Sequence, residues 1–453
     1  MILKLTALLL LQAVLPANAV LPESTAETPA VWPSFLGAGA STSSQALPLH
    51  WTPTENVEWQ AALPGHGQSS PVVWNDKVFV TSVEGPQKDA YHTACYDLTS
   101  GDRLWHQSIA NSTPIANTLY VSRAAPTPTV DAERVVAFFE SGDCVAYTHT
   151  GEQIWIRHLG QDHGPLISEF GLGASPCQIA ERVFILLEHD GPSWLVALDK
   201  SSGETAWSAE RSPRRSWSSP AIIDVEGAPQ IVISSTGSVD GYEPESGKLL
   251  WTFDDVGGNT GTTPIDCGQG TFLTGAAAGR GEENAPEAKR SNGMIQIRST
   301  DNGWQAKRLW VAKDAAPSWA SPIVYQGLAY WINRGGVIYC FDAQSGEPVY
   351  TQRTEQSCWA TPFASGDHIY WFGKDGLVTI IASGREFRKV AENQVWDAEQ
   401  LPPDTSLPPP EEDEQRQRAA AMFSGATLYG YAVADGRFIV RIGNRLFSIR
   451  AAE

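Results

Sequence analysis

The chain is 453 residues long and carries 51 Asp and Glu against 32 Lys and Arg, a formal net charge of −19. A field of that sign repels polyphosphate, which sets nucleic acid aside as a partner. The 6 Cys include no C-x-x-C pair, so cysteine-based metal or redox motifs are without support; bridged and free thiols stay open alternatives.

The first residues read as an export signal over 1–19. Lys4 supplies a positive start, Leu5 to Leu15 an apolar stretch too short to span a bilayer, and Ala17-Asn18-Ala19 a small-residue cleavage site. No second apolar run follows, so no transmembrane span is expected. No Cys follows the stretch to carry a lipid. The expected location is periplasmic or secreted. Residues 20–55 form an N-terminal extension, small and polar from Thr25 to Ala46 except at Trp32-Pro33-Ser34-Phe35. It is expected to lie over the surface of the domain that follows.

From residue 56 to 450 two short patterns recur. The first is a Ser-Pro or Thr-Pro step, a turn, and three apolar residues. It runs from Pro71 to Val78-Phe79-Val80, from Pro128 to Val135-Val136-Ala137 and from Pro176 to Val183-Phe184-Ile185. Pro220, Pro264, Pro322 and Pro362 lead four more copies. An eighth has Tyr431 in place of Pro and leads to Phe438-Ile439-Val440. Turns such as Asn75-Asp76 and Gly366-Asp367 join two β-rich segments, a hairpin signal, and Pro at a strand start costs no ladder bond.

The second pattern closes each unit with a turn ending in Gly and an aromatic residue four positions later. Gly101/Trp105, Gly151/Trp155, Gly203/Trp207, Gly247/Trp251 and Gly346/Tyr350 obey it. Trp310 closes a fifth unit through a longer turn, and Gly384 with Phe387 a degenerate seventh. Asp97, Asp199 and Asp342 share one repeat position and read as turn residues accepting backbone bonds. Four strands per unit without a helical period predict an all-β, eight-bladed β-propeller of four-stranded antiparallel blades. The chain stops at Phe447-Ser448-Ile449-Arg450, one strand short. The stretch Asn56-Val57-Glu58-Trp59-Gln60 is therefore expected to pair in the last blade and close the ring, removing an exposed edge. Residues 276–293 read as a loop insert in blade five, and 400–418 as a Pro- and Glu-rich insert before the last blade.

At runs such as Ala94-Cys95-Tyr96-Asp97-Leu98-Thr99-Ser100-Gly101-Asp102-Arg103-Leu104-Trp105 the chain resembles the PQQ-type propeller repeat family, from Trp59 to Arg450. That family includes quinoprotein alcohol dehydrogenases and the propeller lipoprotein of the outer-membrane assembly (Bam) machinery. The dehydrogenase resemblance implies PQQ with calcium, an adjacent Cys-Cys pair against the quinone, and an Asp base beside a calcium held by Glu and Asn. No two Cys here are neighbours, and no matching constellation can be located. No cofactor is predicted, and fold alone does not fix function.

The candidate ligand-binding residues sit before the Pro steps, where a propeller opens its central funnel. Three positions before Pro stand Trp217, Trp319 and Trp359; five before stand His66, Arg123, Arg215 and, in the fifth blade, Asn259. Aromatics there would stack on a ring or a peptide side chain, and Arg would pair with a carboxylate. The competing reading is that the Trp residues pack between blades and the basic residues balance an acidic surface. Scattered His residues have no metal-ligand spacing, and His158 with His163 makes a poor site without a third ligand. The expected function is a non-catalytic, monomeric exported scaffold that binds a protein partner or small ligand, with envelope protein assembly as one version. A quinone (PQQ)-dependent oxidoreductase of alcohols or sugars is the alternative. A polysaccharide hydrolase ranks last, for want of paired carboxylates.

Overall fold

The computed structural model describes residues 30–37, 39, 41–277, 285–406, 414, 417–418 and 423–451. The export signal read over 1–19 lies outside them, as do parts of both inserts. Eight antiparallel blades of four strands surround a central channel, and two blades gain a fifth strand at the hub. Blade one is typical: Val72–Trp74, Lys77–Glu84, Ala90–Asp97 and Arg103–Ala110 pair in sequence order from hub to rim. The second and third strands are sandwiched between neighbouring blades, so they read as continuous apolar runs; Arg134–Phe138 and Leu328–Ile332 are buried throughout. The rim strands face water and are mostly exposed, as in Arg103–Ala110.

Each Pro of the first pattern immediately precedes the first residue of a hub strand, as Pro176 precedes Cys177–Ile179 and Pro362 precedes Phe363–Ser365. The residue before each Pro stitches the hub. The backbone N–H of Ser70 donates to Thr127 Oγ1, Thr127 to Ser175 Oγ, and Ser175 to Ser219 Oγ, each at 2.9 Å. Ser219, Thr263 and Ser321 donate onward to Thr263, Ser321 and Thr361 at 3.0 to 3.1 Å. Seven blades are thus joined by hydroxyl acceptors. The series stops at blade eight, where the equivalent position is Gly430, packed so closely that a Cβ there would drive into Ser70 Oγ.

The Gly–Trp pattern is a joint between blades. The Trp of one blade lies against the turn Gly of the next: Trp105 on Gly151, Trp155 on Gly203, Trp207 on Gly247, Trp310 on Gly346. These glycines have φ between 71° and 88°, and a Cβ would enter the indole. Each indole N–H also donates across the joint, as from Trp155 to Lys200 O at 2.8 Å and from Trp105 to His149 O at 2.9 Å. Asp97, Asp199 and Asp342 accept two backbone N–H groups each inside these turns.

The ring closes as the missing strand required. Val57–Ala62 pairs antiparallel with Arg445–Arg450, with Trp59 opposite Ser448 and Gln60 opposite Phe447. Trp59 then lies on Gly101 of blade one and donates to Leu98 O at 3.1 Å, the same joint used by the other blades. Glu58 adds an ion pair to buried Arg437 at 3.1 Å.

The N-terminal extension departs from expectation. Instead of lying over the surface, it enters the channel. Val31–Trp32 pairs antiparallel with the hub strand of blade one, and Thr42–Ser43 runs parallel beside that of blade seven. Trp32 and Leu36 are buried, Trp32 against Phe363 and Tyr431. An apolar surface large enough to bury two apolar anchors outweighs the polar character of the surrounding residues. A cavity of about 300 Å3 remains between this segment and the hub strands of blades three to five. All six Cys are free thiols, five of them buried.

Candidate functional site

The face carrying the rim-to-hub connections is called upper here. Every sequence-derived candidate lies on those connections, but they do not form one ring of exposed side chains. Two clusters emerge.

The first is aromatic. Trp319 and Trp359 meet edge-to-face at 4.8 Å, and Phe423 packs 5.5 Å from Trp359 and 6.4 Å from Trp319. Tyr120, on the connection into blade two, reaches Phe423 at 5.7 Å. Blades six and two oppose each other in an eight-blade ring, so these rings reach across the mouth of the channel. Arg334 lies over Trp319 at 5.8 Å and Lys374 over Trp359 at 5.3 Å. Trp319 is 39% exposed.

The second is polar and buried. His66 Nδ1 pairs with Asp404 Oδ2 at 3.0 Å, beside the Tyr429 ring. Burial, aided by the charge of Arg123, lowers the His66 pKa to about 4, so the ring is neutral at pH 7. With Asp404 ionised, its carboxyl held at about 2 against the pull of burial by hydrogen bonds from His66 and Ser406, Nδ1 carries the proton. Arg123 and Arg441 flank the 66–70 stretch. Gln68 N–H donates to Arg123 O at 3.0 Å, and Arg441 Nη1 donates to Ser69 O at 3.0 Å. Both arginines are fully buried, and burial lowers the pKa of each, that of Arg441 to about 9.

The other three candidates stand apart. Trp217 donates to Gly171 O at 3.1 Å and packs edge-on to Phe170. Arg215 is half-exposed and paired with Asp190 and Glu169. Asn259 is buried with its amide bonded to Ser234 Oγ, Ser238 O and Gly237 N–H.

Several participants escaped the sequence reading. Asp404 comes from the insert before blade eight and Phe423 from the connection that follows it, and neither has a repeat period to place it. Arg441 carried a signal: it is a charge inside the apolar run Phe438-Ile439-Val440-Arg441-Ile442, at a position where burial is expected. Among the described residues no group of three or more His, Cys, Asp or Glu is placed to hold a metal, and no two thiols are adjacent in sequence.

The hydroxyl-stitched hub, the Gly–Trp joints and the upper-face clusters together define a β-propeller of PQQ-type repeats. Residues 41–186, 167–277 and 291–442 match the family described as outer membrane protein assembly factor BamB, and the chain belongs to that family. No curated protein sequence matches it. Among solved structures it is similar to BamB from Moraxella catarrhalis, with a TM-score of 0.57 at 12% identity, over 87% of this chain and 97% of that one. It is also similar to a quinohemoprotein alcohol dehydrogenase from Comamonas testosteroni, TM-score 0.59 at 12% identity, over 93% and 81%. A quinohemoprotein alcohol dehydrogenase from Pseudomonas putida HK5 gives 0.56 at 11%, over 93% and 81%. At these identities the likeness is one of fold.

Proposed function

We propose that the protein is a non-catalytic, exported propeller scaffold, periplasmic or secreted, that docks a protein partner on its upper face in envelope protein assembly. The family membership supports the process, and one observation carries the location. Trp319, Trp359 and Phe423 form an aromatic cluster at the channel mouth with Arg334 and Lys374 above the two indoles, and Trp319 is 39% exposed. Trp and Arg are the residue types most enriched among interface hot spots, since they combine large buried area with charge-assisted bonds. No helix among the described residues is long and apolar enough to cross a membrane. The test is capture from envelope extract on the immobilised protein, read by mass spectrometry. Wild type is expected to retain a defined protein, and the W319A/W359A double variant, still folded by circular dichroism, to lose it. Equal capture by both would move the docking surface elsewhere; turnover of an alcohol after addition of PQQ and calcium would replace the scaffold reading.

A further inference from the structure

The hub holds a cation with no hydrogen-bonded counter-ion. Arg123 is 0% exposed, and its Nε, Nη1 and Nη2 all lack a hydrogen-bond partner. Arg441 Nε and His66 Nε2 are also buried without partners. The carboxylates nearby are already committed. Asp404 Oδ2 serves His66, and its Oδ1 serves the Ser406 N–H and hydroxyl. Glu140 accepts from Lys88 Nζ at 2.6 Å and from the Ala124 N–H. Three buried cations, Arg123, Arg441 and Lys88, thus face two carboxylates, Asp404 and Glu140. Tyr429 lies beside Arg123 and interacts with it, but brings no carboxylate.

Between blades three and four the protein packs arginine together with its counter-ions. Arg211 bonds Glu188 at 3.0 Å and Asp240 at 3.2 Å, and Arg214 bonds the same two carboxylates at 2.9 and 2.7 Å. There, two cations meet two anions. At Arg123 the matching anion is missing, and a buried unpaired charge is among the costliest features a fold can carry.

We propose that Arg123 and Arg441 bind the carboxylate of a small hydroxy acid at the hub, next to His66. Arg123 presents a free fork of N–H donors, the geometry that matches a carboxylate, and Arg441 Nε adds a further donor. His66 supplies the specificity. Its Nδ1–H is spent on Asp404, so Nε2 is a bare acceptor that takes a hydrogen bond from a ligand hydroxyl. Two glycines make the room these side chains occupy: a Cβ at Gly67 would strike Arg441 Nη2, and one at Gly443 would strike the His66 ring. A cavity of about 420 Å3, lined by Gly65, Glu84, Asn117, Asp404 and Ser406 among others, lies next to the His66–Asp404 pair. The site is independent of the docking reading and survives its failure.

The experiment titrates the purified full chain with malate, succinate and inorganic phosphate at constant ionic strength, following Tm and heats of binding. Malate is expected to raise Tm saturably, and succinate, which lacks the hydroxyl, to bind more weakly. Arg123→Met should weaken malate by about tenfold or more, the loss of a charge-assisted bond. Arg215→Met, on the half-exposed pair, should leave it unchanged. Indifference of wild type to all three anions, or a response to phosphate alone, overturns the proposal. So does equal malate binding by wild type and Arg123→Met. Should Arg123→Met not fold, the wild-type titration decides by itself.

Discussion

Ser175 accepts from the Thr127 N–H at 2.9 Å and offers its own N–H to Ser219, so it stands in the middle of the hub stitching. The residue is 3% exposed, and removing the hydroxyl leaves the buried Thr127 donor without its acceptor. Ser175→Ala should therefore cost about 1 to 2 kcal/mol, read as a lower denaturant midpoint at constant slope. The Ser/Thr-Pro step was visible in the sequence, but only its Pro had an evident meaning as a strand start. The hydroxyl before it was equally regular and could have been read as a bond to the neighbouring blade. The site was less legible. His66 and Arg123 surface together because both stand five residues before Pro. Their partners Asp404 and Arg441 come from an insert and from the far end of the chain, a proximity that only ring closure creates.

Trp59 tests the element that closes the ring. Its indole covers Gly101 and donates to Leu98 O, as Trp155 covers Gly203 and donates to Lys200 O, and both are buried. If the N-terminal strand is an ordinary rim strand energetically, Trp59→Ala and Trp155→Ala should each cost about 3 to 5 kcal/mol. Denaturant unfolding of the two variants checks this; a Trp59→Ala midpoint near wild type would mean that the closing strand contributes little. This element was fully legible, because a strand count of one too few at the C-terminus left Val57–Ala62 as its complement. The channel segment was not. Trp32 and Leu36 belong to one short apolar cluster in a polar stretch, and no period reveals that such a stretch inserts beside hub strands.

Across the whole molecule, burial lowers the pKa of His66, His92, His106, His149, His163 and His189. As pH falls below about 6.5 the unfolded chain therefore takes up protons before the folded one, and stability declines. Above that pH these groups are neutral in both states and contribute no slope. His66, lowered to about 4, should account for about 3 kcal/mol of the loss between pH 6.5 and 4. A second decline follows as pH drops through the carboxylate range, where Asp240 and Asp404 lose their hydrogen-bonded, ion-paired forms. Stability measured by denaturant at pH 7.5 and 5 should fall for wild type and fall less for His66→Gln; equal slopes would contradict the buried neutral imidazole.

Blade eight draws its rim strand from residues 57–62 and its other three from residues 428–450. A ribosome therefore delivers the first piece of that wedge hundreds of residues before the rest. Until the final hairpin emerges, the nascent protein is a row of wedges with Trp59 and the 30–43 segment lacking part of their seats. Completion is an event of the finished polypeptide, and a stop codon anywhere before Arg445 yields an arc with two open ends.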